Sequence, residues 1–592
     1  MKRTLLYHAA LVGLCAAMAL VGCDKKDEPA PGGDKAQQGQ GMKAAGGPAA
    51  APTLESPADV VIYGGTNGLE DGLTKLHALA SKVVPNVPPL GAMAGPMLQG
   101  QMRLKDAAAI DTKKPVRFAI VDPKTYKRDP VIVLIGITDQ KAFEAALPET
   151  GRKQDDEGNA WSFLKYEGAT RPIYVNFVGG HAAITRDKAM FAKYKDFLGK
   201  LATAPLPELG GVVVEVAHLV TLFGPELDQG IAQAKQMAAM AAQTTPGGAS
   251  QAQMIGTMFD WMGSAARDLE RVRVSLATID DGALLNIAFD AKAGSDLAKL
   301  LGVMKGKGAP ALLAKVPADS PAFMTASIDP AATADLVRKL AESMIVGPMF
   351  AGDAAKAKVY IDGMTTYAKA LDGQMVVAAH NAADGSGLAM TGFFGISDLA
   401  AARAGQKTLT GMYTDEAAKA YYTQNGITVN YQPAAYTVGD VSVDIIETQL
   451  TNLPPEAAQF AGIMKEFMTS HIALGKEWGV MGYGSAARAT VEAALSGKLV
   501  GGLDAAPGPQ RAIKHAAANA AFMVYVSPIE LAKRIKLNGM NPLANMLAGI
   551  DNKTGIAISG GASGSTLQVV IDVPLETVQQ GMAAFEKSKG AF

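Results

Sequence analysis

Val131-Ile132-Val133-Leu134-Ile135-Gly136-Ile137-Thr138-Asp139 sets five apolar, mostly β-branched residues before a glycine and two residue types that cap helices. Such a run predicts a buried strand. Phe143 and Leu147, one helical turn apart, predict a helix that follows it, with Thr138 as its cap. Upstream, residues 115–121 form another short apolar run, and the polar stretch 122–129 between the two runs signals a hairpin. Hairpins interleaved with helices point to mixed or antiparallel sheets with helices packed on them, an α+β fold.

The same order of features returns downstream. Met390-Thr391-Gly392-Phe393-Phe394-Gly395-Ile396-Ser397-Asp398 repeats the strand, the glycine and the cap, with Gly395 lying 259 residues after Gly136. Ser56-Pro57-Ala58-Asp59 and Val316-Pro317-Ala318-Asp319 each precede a strand and a helix, and their prolines are 260 residues apart. Leu285-Asn286-Ile287-Ala288-Phe289-Asp290 and Leu567-Gln568-Val569-Val570-Ile571-Asp572 both read as strands before a closing helix. Their spacing of 282 is what an insertion in the second half would produce. Three matches in one order predict a duplication, with similar halves at 54–308 and 309–592. The layout broadly resembles uncharacterised envelope proteins built from repeated α/β units.

Between the matched segments, Val212, Val213, Val214 and Val216 read as a buried strand. Asp329-Pro330 and Ser527-Pro528 offer a capping side chain with proline at the first helical position, and Glu530 would complete a capping box with Ser527. Gly560, Gly561 and Gly564 read as a turn between two strands. Residues 229–265 read as long helices rich in alanine and methionine. There Met254, Met258 and Met262 share one face, with Met237 and Met240 earlier. Packing into the core is the commoner fate of such a stripe. An adaptable groove for a partner or an acyl chain is the functional reading.

The chain has 592 residues, 48% hydrophobic and 19% charged, too long for one ordinary core. Its 55 basic and 56 acidic residues give a formal net charge of -1, so there is no electrostatic reason to expect nucleic acid as a partner. The two cysteines, Cys15 and Cys23, both lie near the N-terminus, which excludes an internal disulfide framework.

Lys2 and Arg3 precede a mostly apolar stretch over residues 5–21, which ends in Leu20-Val21-Gly22-Cys23. This segment resembles the bacterial lipoprotein signal with its lipobox. The resemblance covers the first 23 residues. It implies diacylglyceryl transfer to the Cys23 thiol, cleavage between Gly22 and Cys23, and acylation of the new amino group by a fatty acid such as palmitate. Each buried methylene contributes about 0.8 kcal/mol, so two or three acyl chains would hold the protein on a membrane. Asp24 resembles an inner-membrane retention residue of enteric bacteria, and either envelope membrane stays open. Residues 1–22 are thus expected to be a signal peptide. Residues 23–53, dominated by Ala, Gly, Pro, Gln and Lys, are expected to be a flexible tether spanning about 30 Å.

Motifs for chemistry are weak. Ser162-Phe163-Leu164-Lys165 matches the Ser-x-x-Lys of penicillin-recognising serine enzymes and Lys553-Thr554-Gly555 their Lys-Thr-Gly. That chemistry needs the serine at a helix start, whereas residues 161–166 alternate like a strand. His77, His181, His218, His380, His471 and His515 lack the spacing of a zinc helix. Residues 302–308 (GVMKGKG) read as a loop after a helix rather than a phosphate loop. The sequence therefore leads to an expectation of a non-enzymatic, lipid-anchored envelope protein without cofactor or metal, which binds another envelope component. A carrier of an apolar ligand or lipid, and an unrecognised serine hydrolase using Ser162 and Lys165, are the alternatives.

Overall fold

The computed structural model describes residues 51–589 except 85, 128, 156–159, 165–169, 208, 243–247, 305, 309, 343–348, 351–352, 383–387, 425, 451–467, 536–540 and 542–543. Among the described residues the fold is α+β, built on one antiparallel sheet of twenty strands. In chain order the first part carries β1 (Val60–Thr66), α1 (Leu69–Ala80), α2 (Ala94–Met102), β2 (Val116–Val121), β3 (Val131–Gly136) and α3 (Gln140–Ala146). Then come β4 (Lys153–Gln154), β5 (Ala160–Phe163), β6 (Ile173–Val178), β7 (His181–Thr185), α4 (Ala189–Thr203) and β8 (Gly211–Val214). Two long helices, α5 (Val216–Ala242) and α6 (Gly248–Asp268), precede β9 (Leu269–Ile279), β10 (Gly282–Ala291) and α7 (Asp296–Val303).

The second part carries β11 (Ala322–Ser327), α8 (Pro330–Leu340), α9 (Ala354–Ala370), β12 (Leu371–Asn381), β13 (Leu388–Ile396), α10 (Leu399–Gly411) and α11 (Glu416–Gln424). A ribbon of β14 (Ile427–Val438) and β15 (Val441–Leu450) follows, then β16 (Thr469–Leu474), β17 (Trp478–Tyr483), α12 (Ala487–Leu495) and α13 (Pro507–His515). The chain ends with β18 (Phe522–Val526), α14 (Pro528–Ala532), α15 (Ala544–Leu547), β19 (Ile556–Ser563), β20 (Thr566–Pro574) and α16 (Leu575–Lys589).

The sheet is organised about a seam where β10 and β20 pair from Gly282↔Pro574 to Asp290↔Thr566. Outward from β10 the order is β9, β8, β1, β2, β3, β7, β6, β5, β4. Outward from β20 it is β19, β18, β11, β12, β13, β17, β16, β15, β14. The segments matched in sequence, β1 with β11, β3 with β13 and β10 with β20, stand at equal ranks from the seam.

Side chains alternate across the strands, so each strand feeds both faces of the sheet. On one face, hereafter the closed face, α4 packs Met190, Phe197 and Leu201 against Tyr63, Ala119, Leu134 and Val213. Beyond the seam, α12 and α13 pack Val491, Ala512 and Ile513 against Phe323, Val376, Phe393 and Met523. Tyr63 meets Phe197 edge-on at 5.7 Å, and Phe323 stacks on Tyr525 at 5.0 Å. The opposite face is covered at its margins. There Phe143 of α3 lies with Ile135 and Val175, Leu301 of α7 with Val272, Phe289 and Leu567, and Ala402 of α10 with Phe394 and Ile396.

Local chemistry departs from the sequence reading at several helix starts. Asp139 rather than Thr138 caps α3, its carboxylate accepting from the Ala142 N–H at 2.8 Å, while the Thr138 hydroxyl donates to the Ala108 carbonyl. Asp398 likewise caps α10 in place of Ser397, which donates to the Ala370 carbonyl. In both places the carboxylate is the stronger acceptor at a site of unpaired N–H groups. Asp329 caps α8 as expected. Ser527 makes no capping bond and Glu530 pairs with Lys533 instead, so the capping box is absent. Val216 opens α5 instead of extending β8. Gly560 and Gly561 lie within β19, and only Gly564, at φ +60°, makes the turn. A Cβ at Gly560 would meet the Phe522 ring at 2.3 Å, so the glycine lets an aromatic side chain lie flat on the strand.

Candidate binding surface

Among the described side chains of the methionine stripe none enters the core. Helices α5 and α6 form a hairpin that packs chiefly on itself. Among the described side chains of both helices only Gly263 is buried. The Ile231 side chain lies over Gly263, and Lys235–Asp260 and Arg267–Asp228 ion pairs clamp the helices together. A kink at Phe223, just before Pro225, turns α5. Met258 is 38% exposed, Met237 62% and Met240 52%, while Met262 is half-buried and the Met254 side chain lies outside the described residues. Periodicity suggested core packing because it shows which residues share a face, but not whether anything covers that face.

The enzyme-like motifs are not brought together in a usable form. Ser162 sits on β5, paired with Lys153 and Tyr174, and its hydroxyl donates to the Lys153 carbonyl. It is not at a helix start, and Lys165 lies outside the described residues. The Lys553 N–H donates to Glu576, and Thr554 bonds Asn552 in its own turn and the Thr577 hydroxyl on α16. Gly302 and Val303 still belong to α7, and past the helix Gly306 donates its N–H to the Asn519 carbonyl, while a Cβ there would meet the Ala520 oxygen at 2.0 Å. This glycine serves close packing of two backbones.

Histidines serve the framework. His181 bonds the Gly179 and Pro115 carbonyls, and His380, fully buried, bonds the Asn381 carbonyl and the Thr391 hydroxyl at 2.6 Å. His471 meets the Tyr436 hydroxyl. Burial holds the pKa of all three below the ordinary histidine value. Among the described residues no group of three His, Cys, Asp or Glu side chains could hold a metal ion. Arg117 is buried and its guanidinium donates to the carbonyls of Thr66, Leu201 and Ala204 and to Asn67. Burial brings its pKa down to about 10. Two buried carboxylates flank the seam. Asp572 takes two bonds from Arg511 and one from His515, and Asp290 takes two from Arg273 and one from Thr566.

A cleft of about 390 Å³ lies between Arg403 and Lys407 of α10 and Asp440, Ser442 and Asp444 beside the ribbon. Its acid Asp444 is already bonded to Gln406, the Tyr431 hydroxyl and the Ala434 N–H, which pins the ribbon to α10.

A chemically uniform surface occupies the middle of the sheet face opposite the closed one. One row of directly paired residues crosses seven strands as Leu276, Leu285, Ile571, Ile558, Val524, Met324 and Val377. Two residues along, the parallel row reads Val274, Ile287, Val569, Gly560, Phe522, Ala326 and Met375. None of the thirteen side chains in these rows is buried, and Met324, Ile558, Leu276 and Met375 are 36–44% exposed. No row member carries a charge or a hydrogen-bonding group. At about 4.8 Å per strand the rows run about 29 Å. Contiguous apolar surface of this kind marks binding sites. The sequence reading missed it, although Phe522–Val526, apolar on both sides, signals a strand in a sheet with two apolar faces.

Cys23 and Gly22 lie outside the described residues. Among the described residues no helix is long and apolar enough to cross a membrane. No protein-family model matches the chain, and neither a curated protein nor a solved structure is found to be similar to it.

Proposed function

We propose that this chain is a non-enzymatic binding protein of the bacterial envelope, lipid-anchored through Cys23 after cleavage at Gly22, with its body in the periplasm or at the cell surface. The observation that carries the binding role is the apolar floor over β9, β10, β20, β19, β18, β11 and β12, where Leu276, Ile558, Met324 and Met375 are exposed and nine further apolar side chains are half-buried, Val274, Ile287 and Val569 among them at the edge of the α7 cluster. Leaving that much apolar surface wet costs stability unless a partner covers it. The anchor rests on the lipobox, and the body is read as a duplicated unit, supported by the equal strand ranks on either side of the seam.

The test is a cross-linking pull-down from envelopes using the anchored protein. Wild type should retain its envelope partner, and Ile558→Glu should lose it while unfolding at the same temperature. Undiminished capture by that variant would remove the floor from the proposal. In parallel, Cys23→Ser should abolish incorporation of labelled palmitate and free the body from membranes. A second reading, a carrier of an apolar ligand, is favoured by the same floor, because its surface is hydrocarbon alone.

A further inference from the structure

We infer that the occupant of the open floor is the acyl chain of a membrane lipid; this deepens the proposed binding role and rests on it. Three observations single out hydrocarbon. First, the rows offer no charge and no hydrogen-bonding side chain. The backbone beneath them is consumed in ladder pairs on both sides of the strands from β10 to β11. A protein partner ordinarily adds about ten direct hydrogen bonds across an interface, whereas a hydrocarbon chain needs none. Second, the floor is about 29 Å long by strand spacing, close to the roughly 30 Å thickness of a bilayer's hydrocarbon core, and so long enough for lipid tails laid end to end. Third, the N-terminal chain reaches the body at Ala51, which is buried and accepts a bond from Arg273. Ala51 lies only 28 residues after Cys23, so the lipid anchor proposed above would keep the body within reach of bilayer lipid. The side chains suit the task. Met324 and Met375 are pliable thioethers at one end of the floor, and Phe522 lies over Gly560 to keep it level.

The inference is tested with the full mature chain on vesicles of phosphatidylethanolamine and phosphatidylglycerol that contain a phospholipid with a photoreactive group at its acyl terminus. Labelling should fall on peptides carrying Leu276, Met324 and Ile558. It should drop about tenfold in Met324→Glu and in Ile558→Glu, because a carboxylate set against hydrocarbon has no partner there. Both residues are exposed, so the variants should keep the wild-type unfolding midpoint. Labels confined to residues 24–53 or to α5 and α6, labelling unchanged in both variants, or cross-links from floor to floor between two copies would each overturn the inference. Intact mass of the same preparation reports the Cys23 lipid separately. If that lipid is absent but the floor is labelled from added vesicles, the anchor fails while the acyl site stands. Capture of an envelope protein by the floor without lipid labelling would leave the binding role in place and sink this inference.

Discussion

The two sides of the β10–β20 seam pair their strands in the same order yet differ in what they carry between them. Between β8 and β9 the chain leaves the sheet for the helical hairpin of α5 and α6, while the same interval between β18 and β19 holds the short α14 and α15. Those short helices are tucked in, with Ile529, Leu547 and Ile550 buried against Ala584. Among its described residues the hairpin has no such core. The ribbon reverses the contrast, with twelve and ten residues in β14 and β15 against two and four in β4 and β5. The sheet order is therefore one frame, and elaborations attach where loops leave it, at little cost to the ladder.

Ion pairs beside the seam give the comparison its largest test. Asp572→Ala would leave His515 without its acid and Arg511 with only the exposed Asp281, in a site where Asp572 is 3% exposed. That should cost roughly 3–5 kcal/mol of stability, read as a fall in the urea midpoint. Asp290→Ala should cost less, about 2 kcal/mol, because Arg273 is more exposed and keeps the Ala51 carbonyl. Equal losses would mean that the two sides of the seam are held alike. On the first side, Arg117→Met should cost about 2–3 kcal/mol by stripping the donor from the buried Leu201 and Ala204 carbonyls. In contrast, Ile231→Ala should shift the global midpoint by less than about 0.5 kcal/mol while speeding hydrogen exchange throughout α5 and α6, as in a separately opening unit. A matching loss of protection in β8 and β9 would show that the hairpin and sheet are one cooperative body.

The smallest effect is with pH. His181, His380 and His471 have folded pKa values below the unfolded one, so the unfolded chain takes up protons first as pH falls below about 6.5. Stability should be complete above that pH and decline on acidification towards pH 5, with a gentler slope in His380→Gln. A midpoint that rises between pH 7.5 and 5 would contradict the burial of these rings.

The α+β class was legible because residues 131–139 and 390–398 carry their strand, turn and capping signals within one short window. β3 and β13 form there, and the hairpin over 122–129 joins β2 to β3. What the sequence did not disclose is which apolar faces remain uncovered. Met258 and Ile558 look like core residues by pattern, yet both face solvent, since cover comes from elements hundreds of residues away. At α3 and α10 the cap lies one residue beyond the hydroxyl that signals it, because an acid follows each of Thr138 and Ser397, while Ser527 makes no capping bond at all.

The seam also sets an order of assembly. β10 is complete by Ala291, but the strand that covers its edge begins at Thr566. A chain emerging from its N-terminus therefore presents a bare ten-residue edge, open to mispairing with any other unfinished copy, until nearly the last residues arrive. The final hairpin acts as the keystone, and losing it would unzip the molecule from its middle rather than fray it at one end.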